Sequence, residues 1–173
     1  MEGPRLPPNG CTAELRTERL RLRAPTSADM SRVVALDTDP RVNRHSPSGA
    51  PTVTESRSKF HGTIAAWRRD GIGHWLVECD GCLAGVTGVR PIELDGDVYW
   101  NVYYRFSPET WGKGIASEAL RAALAAARGH VAGRRFVVRT RPTNRAAITL
   151  AQAVGLTRSP RLDAGGFVTF AGD

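Results

Sequence analysis

The sequence predicts an α/β domain of the α+β type: a mixed, mostly antiparallel sheet with helices on both faces. Three observations predict it. Val98 to Phe106 (VYWNVYYRF) is a long run of β-branched and aromatic residues, the chemistry of a strand. Just downstream, Ala116, Ala119, Leu120, Ala123, Leu124 and Ala127 recur at helical spacing. Asp80-Gly81, between two strand-like runs, is a strong hairpin-turn signal.

Taken in order, Leu15 to Arg23 alternates, with Leu20 and Leu22 on one face and Arg19, Arg21 and Arg23 on the other, and reads as one half-buried strand. Ala24-Pro25 ends it. Thr26 or Ser27 can cap a short helix with Asp29 in its first turn and Met30, Val33 and Val34 as its apolar stripe; Asp39-Pro40 stops that helix. Residues 41 to 52 form a loop longer than most helix–helix connections. Thr52 and Glu55 make a capping box for a second helix, which buries Phe60, Ile64 and Trp67 and ends at Gly71 and Gly73.

His74 to Cys79 and Cys82 to Arg90 are the arms of the hairpin. Pro91 to Asp97 reads as a loop carrying Glu93, Asp95 and Asp97. Val98 to Phe106 follows as the central strand, with Val98, Trp100, Val102, Tyr104 and Phe106 on one face and Tyr99, Asn101, Tyr103 and Arg105 on the other. A helix from about Gly114 to His130 leads to a short strand, Phe136 to Thr140. Asn144 caps a further helix that Gly155 ends. A turn at Gly165-Gly166 and a last strand, Phe167 to Phe170, complete the chain.

Composition bounds the function. At 173 residues the chain fits one domain, and no apolar run approaches the ~20 residues of a membrane span. The opening MEGPRLPPNG lacks a signal peptide's apolar core, so residues 1–12 read as a flexible tail and the protein as cytoplasmic. Net charge is +7, almost all of it arginine, since the lysines are only Lys59 and Lys113. The arginines are scattered without a nucleic-acid motif, so nucleic acid is not an expected partner, nor is a membrane. Cys79 and Cys82 have CxxC spacing, yet Cys11 and the scattered histidines supply no second ligand pair. The hairpin explains the pair, and no metal is expected.

The stretch that carries chemistry is Ser107 to Leu120 (SPETWGKGIASEAL). Gly112 and Gly114 tolerate positive φ and allow close approach of backbone N–H groups, and the helix that follows leaves its first N–H groups unpaired at a positive dipole end. That combination favours a phosphate or pyrophosphate. It is not a Walker A loop, because Gly114 follows Lys113, and not a dinucleotide fingerprint, because the third glycine is missing.

Trp111-Gly-Lys-Gly-Ile-Ala116 resembles the Gln/Arg-x-x-Gly-x-Gly/Ala pyrophosphate loop of the GNAT-superfamily N-acetyltransferases, with Gly114 as the fixed glycine, Ala116 as the small last residue and Trp111 where Gln or Arg is usual. The surrounding phrase is similar to the branch that includes the ribosomal-protein-alanine acetyltransferases. Asn144 to Leu156 is similar to the family's Asn-x-x-Ser/Ala…Gly-Phe segment, and Leu15 to Asp29 to that branch's opening strand and helix start. The resemblance implies a GNAT-like acyltransferase domain over residues 13–173, with acetyl-CoA or another acyl-CoA as cofactor.

By that resemblance Trp111, Gly112, Lys113, Gly114, Ile115, Ala116 and Ser117 hold the pyrophosphate, with Arg105 or Lys113 adding charge. The central strand splays from its neighbour, and backbone groups of Tyr104, Arg105 and Phe106 pair with the pantetheine arm. Asn144 bonds the same arm, and Ala147 occupies the position that often holds Ser. The acceptor implied is a primary amine of a small molecule, amino acid or peptide N-terminus, and the two early helices with their loop form a wall of its pocket; a monomer or homodimer is expected. Three family positions depart from pattern: Asn101 for Glu, Ala147 for Ser and Ala151 for the general-acid Tyr. Tyr104 is left as the catalytic proton donor, and Glu93, Asp97, Tyr99 and Tyr103 as candidates for the base. The departures also admit a degenerate acyl-CoA-binding sensor as the alternative.

Overall fold

The computed structural model describes residues 13–173. The expected tail, residues 1–12, and Cys11 lie outside the described residues. Eight strands form one sheet, β1 (Glu14–Arg16), β2 (Leu20–Arg23), β3 (His74–Cys79), β4 (Cys82–Leu94), β5 (Asp97–Phe106), β6 (Phe136–Thr140), β7 (Thr157–Arg158) and β8 (Val168–Gly172). The helices are α1 (Met30–Asp37), α2 (Val53–Asp70), α3 (Ile115–His130) and α4 (Arg145–Ala153). The spatial order is β1-β2-β3-β4-β5-β6-β8-β7, antiparallel throughout except for β5 beside β6.

Local chemistry sets the boundaries. The Thr52 N–H donates to the Glu55 carboxylate at 2.8 Å while the Glu55 N–H donates to Thr52 Oγ1 at 3.2 Å, so both halves of the expected capping box form. Gly71 ends α2 in the left-handed conformation. Asp80 and Gly81 both take positive φ, and Cys79 stands opposite Cys82 across that turn.

Three expected boundaries are corrected. Leu15 to Arg23 is a hairpin rather than one strand: the Thr17 N–H donates to the Leu20 carbonyl, and the turn is clasped by Glu118 of α3, which accepts Thr17 Oγ1 at 2.5 Å and Arg19 Nε at 2.7 Å. Pro91 to Asp97 is mostly strand, with only Asp95 and Gly96 in a tight turn. Pro91 is tolerated because Val89 sends its N–H to Gly73; the nitrogen two residues on faces the same side, beyond the end of β3. At the C-terminus the last strand is Val168–Gly172, and the two-residue β7, too short for periodicity to show, pairs with it.

The two faces are covered separately. Leu22, Trp75, Val77, Val89, Val102, Phe106 and Phe136 pack against Ile115, Leu120, Leu124 and Ala127 of α3 and Ala151 of α4. On the opposite face Leu76 and Val86 pack against Val33 of α1 and Phe60 of α2. Tyr99 and Val137 are capped there by Leu162.

Candidate active site

The site lies where β5 parts from β6. The two strands pair only at Trp100↔Phe136 and Asn101↔Val137, and then diverge. Direction of the free groups follows from the ladder. The Trp100 N–H donates toward β6, to Arg135, and the Ser107 N–H donates toward β4, to Ala84. Alternation therefore turns the backbone N–H groups of Tyr104 and Phe106 into the gap, and those of Tyr103 and Arg105 toward β4.

At the end of β5 the chain makes a short turn, Pro108–Thr110, and enters the glycine loop. Gly112 and Gly114 have φ of 73° and 74°. Such values cost a side-chain-bearing residue about 1–2 kcal/mol, which is why glycine stands at both positions. The first backbone bond at the start of α3 is from the Glu118 N–H to the Gly114 carbonyl, 3.1 Å, so the N–H groups of residues 112 to 117 point outward without an acceptor among the described residues. A methyl group built on Gly112 would meet nothing within 4 Å, so the space above the loop is open. Arg19 holds the Lys113 carbonyl at 2.9 Å, and Trp111 Nε1 donates to the Phe106 carbonyl at 3.0 Å; both pin the loop.

Trp111 occupies the position where the motif usually has Gln or Arg, and it is exposed. The guanidinium of Arg44, from the loop between α1 and α2, lies 4.7 Å from its ring centroid. Arg41 of the same loop reaches Glu109 at 3.2 Å. A cation is thus delivered to this position from a distant segment, which sequence reasoning missed because a loop residue carries no periodic signal.

Tyr104 is half-buried on the α3–α4 face, and its hydroxyl donates across the gap to the Ala147 carbonyl at 3.1 Å. Burial holds its phenol well above the usual value. Asn144 caps α4 by accepting the Ala147 N–H at 3.2 Å, and its amide nitrogen has no partner among the described residues. Ile115 and Ala147 are buried, and Ala116 and Ser117 are half-buried; any contact they make with a ligand is through backbone.

Arg105 is placed otherwise than expected. Its N–H points to β4, and its side chain pairs with Asp37 of α1 on the opposite face, so it adds no charge at the glycine loop. The base candidates also separate. Asp97 pairs with Arg135 at 2.9 Å, and Tyr99 accepts from Arg161 at 3.1 Å. With Glu93 they lie toward the start of β5, about 23–30 Å from its other end at 3.3 Å per residue. Of the four, only Tyr103 is near the gap. Its ring stacks on His74 at 4.6 Å, and burial pushes its phenol up to about 12 and the His74 imidazole down to about 4.

An outward-facing amide loop beside a half-open sheet suits a diphosphate joined to an extended, amide-bearing chain: the loop takes the charge and the β5 edge takes the amides. The residues present therefore fit the cofactor the resemblance implies.

Known proteins share this fold. A family model described as an acetyltransferase (GNAT) domain matches residues 19–157. YkkB, an uncharacterised protein of Bacillus subtilis, is 26% identical over 83% of this chain and 84% of its own. An acetyltransferase from Agrobacterium tumefaciens superposes with a TM-score of 0.81 at 22% identity, covering 92% of this chain and 94% of that one. RimL, a ribosomal L7/L12 α-N-protein acetyltransferase in complex with coenzyme A, superposes with a TM-score of 0.73 at 23% identity, covering 90% and 94%. No helix among the described residues is long and apolar enough to cross a membrane.

Proposed function

The chain belongs to the GNAT acetyltransferase family, and from that premise we propose that it moves an acetyl group from acetyl-CoA to a primary amine of a small molecule, amino acid or peptide N-terminus. The observation that carries this reading is the divergence of β5 from β6 beside the outward-facing amides of residues 112–117. Bound there, acetyl-CoA supplies the acetyl thioester that the amine attacks directly. Gly112 to Ser117 and Arg44 hold its diphosphate, and Asn144 and the Tyr104 and Phe106 N–H groups hold its arm and polarise the thioester carbonyl.

Tyr104 keeps its proton at neutral pH and bears it at Oη beside the gap. With a phenol pKa above that of a thiol, it stabilises the leaving thiolate by hydrogen bonding more than by full transfer. Tyr104→Phe therefore lowers kcat roughly tenfold, the usual range for one charged-partner hydrogen bond, while acetyl-CoA affinity stays within about twofold. Steady-state rates beside a binding titration check this; unchanged kcat removes Tyr104 from the chemistry.

Neither His74 nor Tyr103 is a base at pH 7: the imidazole is neutral but weakly basic, and the phenol is neutral. The rate then follows the free-amine fraction, so kcat/KM rises toward tenfold per pH unit from pH 7 to 9 for an alkyl amine of pKa ~10.4. A plateau beginning near pH 7 would reveal a base in the site.

The reading is tested by isothermal titration with acetyl-CoA and CoA, followed by thiol release across an amine panel. Micromolar binding with turnover supports it. Binding without turnover favours the acyl-CoA sensor, which Asn101, Ala147 and Ala151 make the second reading. Absence of binding overturns both.

A further inference from the structure

The face of the sheet away from α3 leads to the same gap. There the register sets Arg90 of β4 beside Asn101 of β5, and Asn101 beside Val137 of β6. One step along, Gly88 stands opposite Tyr103. Gly88 has to be glycine, because a Cβ would lie 2.2 Å from the Gly73 carbonyl oxygen; its bare backbone leaves room for the His74–Tyr103 stack. The helices α1 and α2 cover this face over Leu76 and Val86, and the Pro160–Leu162 turn covers it over Tyr99 and Val137. Arg90 and Asn101 lie between these covers.

The charge on this face is unbalanced. Arg90 is exposed and forms no ion pair or hydrogen bond with the described residues, yet its charge acts on both His74 and Tyr103. Arg139, two residues past Val137 on the same face, donates only to the Ala164 carbonyl at 3.2 Å and lies over Phe167. Arg161 donates to the Tyr99 hydroxyl. Arg139 also acts on the Asp163 carboxylate, which pairs with Arg158; neither Arg90 nor Arg161 forms an ion pair among the described residues. Asp37 and Asp97, at the two ends of this face of β5, are taken by Arg105 and Arg135. Asn101 is uncharged and adds no compensation.

From this juxtaposition we propose that the acceptor amine also carries an oxyanion, a carboxylate or a phosphate, and that Arg90 receives it across the row Arg90–Asn101. The inference rests on the acyltransferase reading above and names its substrate class. A guanidinium offers two parallel donors to either oxyanion, whereas a polyamine or other cationic acceptor meets the like charge of Arg90. The acceptor enters from this face because the glycine loop and α3 belong to the other.

The test is thiol release with acetyl-CoA and matched acceptors: amino acids against their carboxamides, and phosphoethanolamine against ethanolamine. Acids are expected to exceed their neutral counterparts in kcat/KM by about ten- to a hundredfold, the worth of one charged hydrogen-bonded pair. The two pairs tell carboxylate from phosphate. Arg90→Gln removes the difference by raising KM for the acids, Arg90→Lys keeps most of it, and an acetyl-CoA titration of each variant reports an intact fold. Neutral acceptors turned over as well as acids, or a difference that survives Arg90→Gln, overturn the proposal and leave the acyltransferase reading standing. No turnover of any amine despite acetyl-CoA binding overturns that reading, and this proposal with it.

Discussion

Gly114→Val weakens acetyl-CoA binding by about 100-fold, roughly 2.7 kcal/mol, while the circular dichroism spectrum stays native. Gly114 sits at φ 74° at the start of α3, a conformation a β-branched residue avoids. Its new Cβ would also lie 3.4 Å from the Arg19 guanidinium that holds the Lys113 carbonyl. The loop relaxes by turning residues 112–114 away, and the diphosphate loses several convergent N–H donors together. Each is a charge-assisted bond at a helix start, so the losses accumulate. Isothermal titration measures the effect, and wild-type affinity would sink the assignment of this loop to the diphosphate.

Asp29→Ala lowers stability at pH 7 by about 3 kcal/mol, the low end for breaking a buried ion pair, and Tm by roughly 6–12 °C for a chain of this size. Asp29 is 2% exposed and accepts five hydrogen bonds: two from Arg23 at 2.5 and 2.9 Å, one from Arg32 at 2.6 Å, and the Thr26 N–H and hydroxyl at 2.9 Å each. Removing the carboxylate leaves Arg23, itself largely buried, with the Glu78 carboxylate and the Ala24 carbonyl. The same bonds, Arg23 first, hold the Asp29 carboxyl far below the ordinary range. A depressed folded-state pKa means a contribution fully present above the unfolded value of about 3.9 and lost progressively as pH falls below it. Asp29→Asn should therefore flatten the acid limb of the stability curve. Urea melts at pH 7 and down to pH 3 test both statements; equal midpoints at pH 7 would remove the network from the account.

Much of this was legible because the signals were local. The glycine loop, the Thr52–Glu55 box and the Asp80-Gly81 turn each depend on a few adjacent residues, and all three stand where the sequence places them. Asp95-Gly96 carries the same turn signal as Asp80-Gly81, but Pro91 masked it; a proline reads as a break until the open side of β4 is known. Leu15 to Arg23 alternates correctly through a turn, since the side-chain period alone does not show that the chain reverses. Arg44 and His74 escaped because the residues they meet, Trp111 and Tyr103, lie far along the chain. Trp111 looked like a departure from pattern, and only the tertiary contact with Arg44 shows a cation beside it. Arg105 was misplaced because strand alternation gives two faces without saying which one meets the loop.

The early parting of β5 and β6 leaves an unpaired strand edge in the interior of the sheet. Exposed edges recruit strands from other chains and seed aggregation, so proteins normally shorten, charge or cover them. Here the neighbouring strand itself is the guard. The opening starts from the ordinary strand spacing of about 4.8 Å, with β6 on one flank and α3 and α4 along one face, which leaves little room for a foreign strand beside it. On the proposed function, this template serves a small ligand, while its place inside the sheet shields it from other chains.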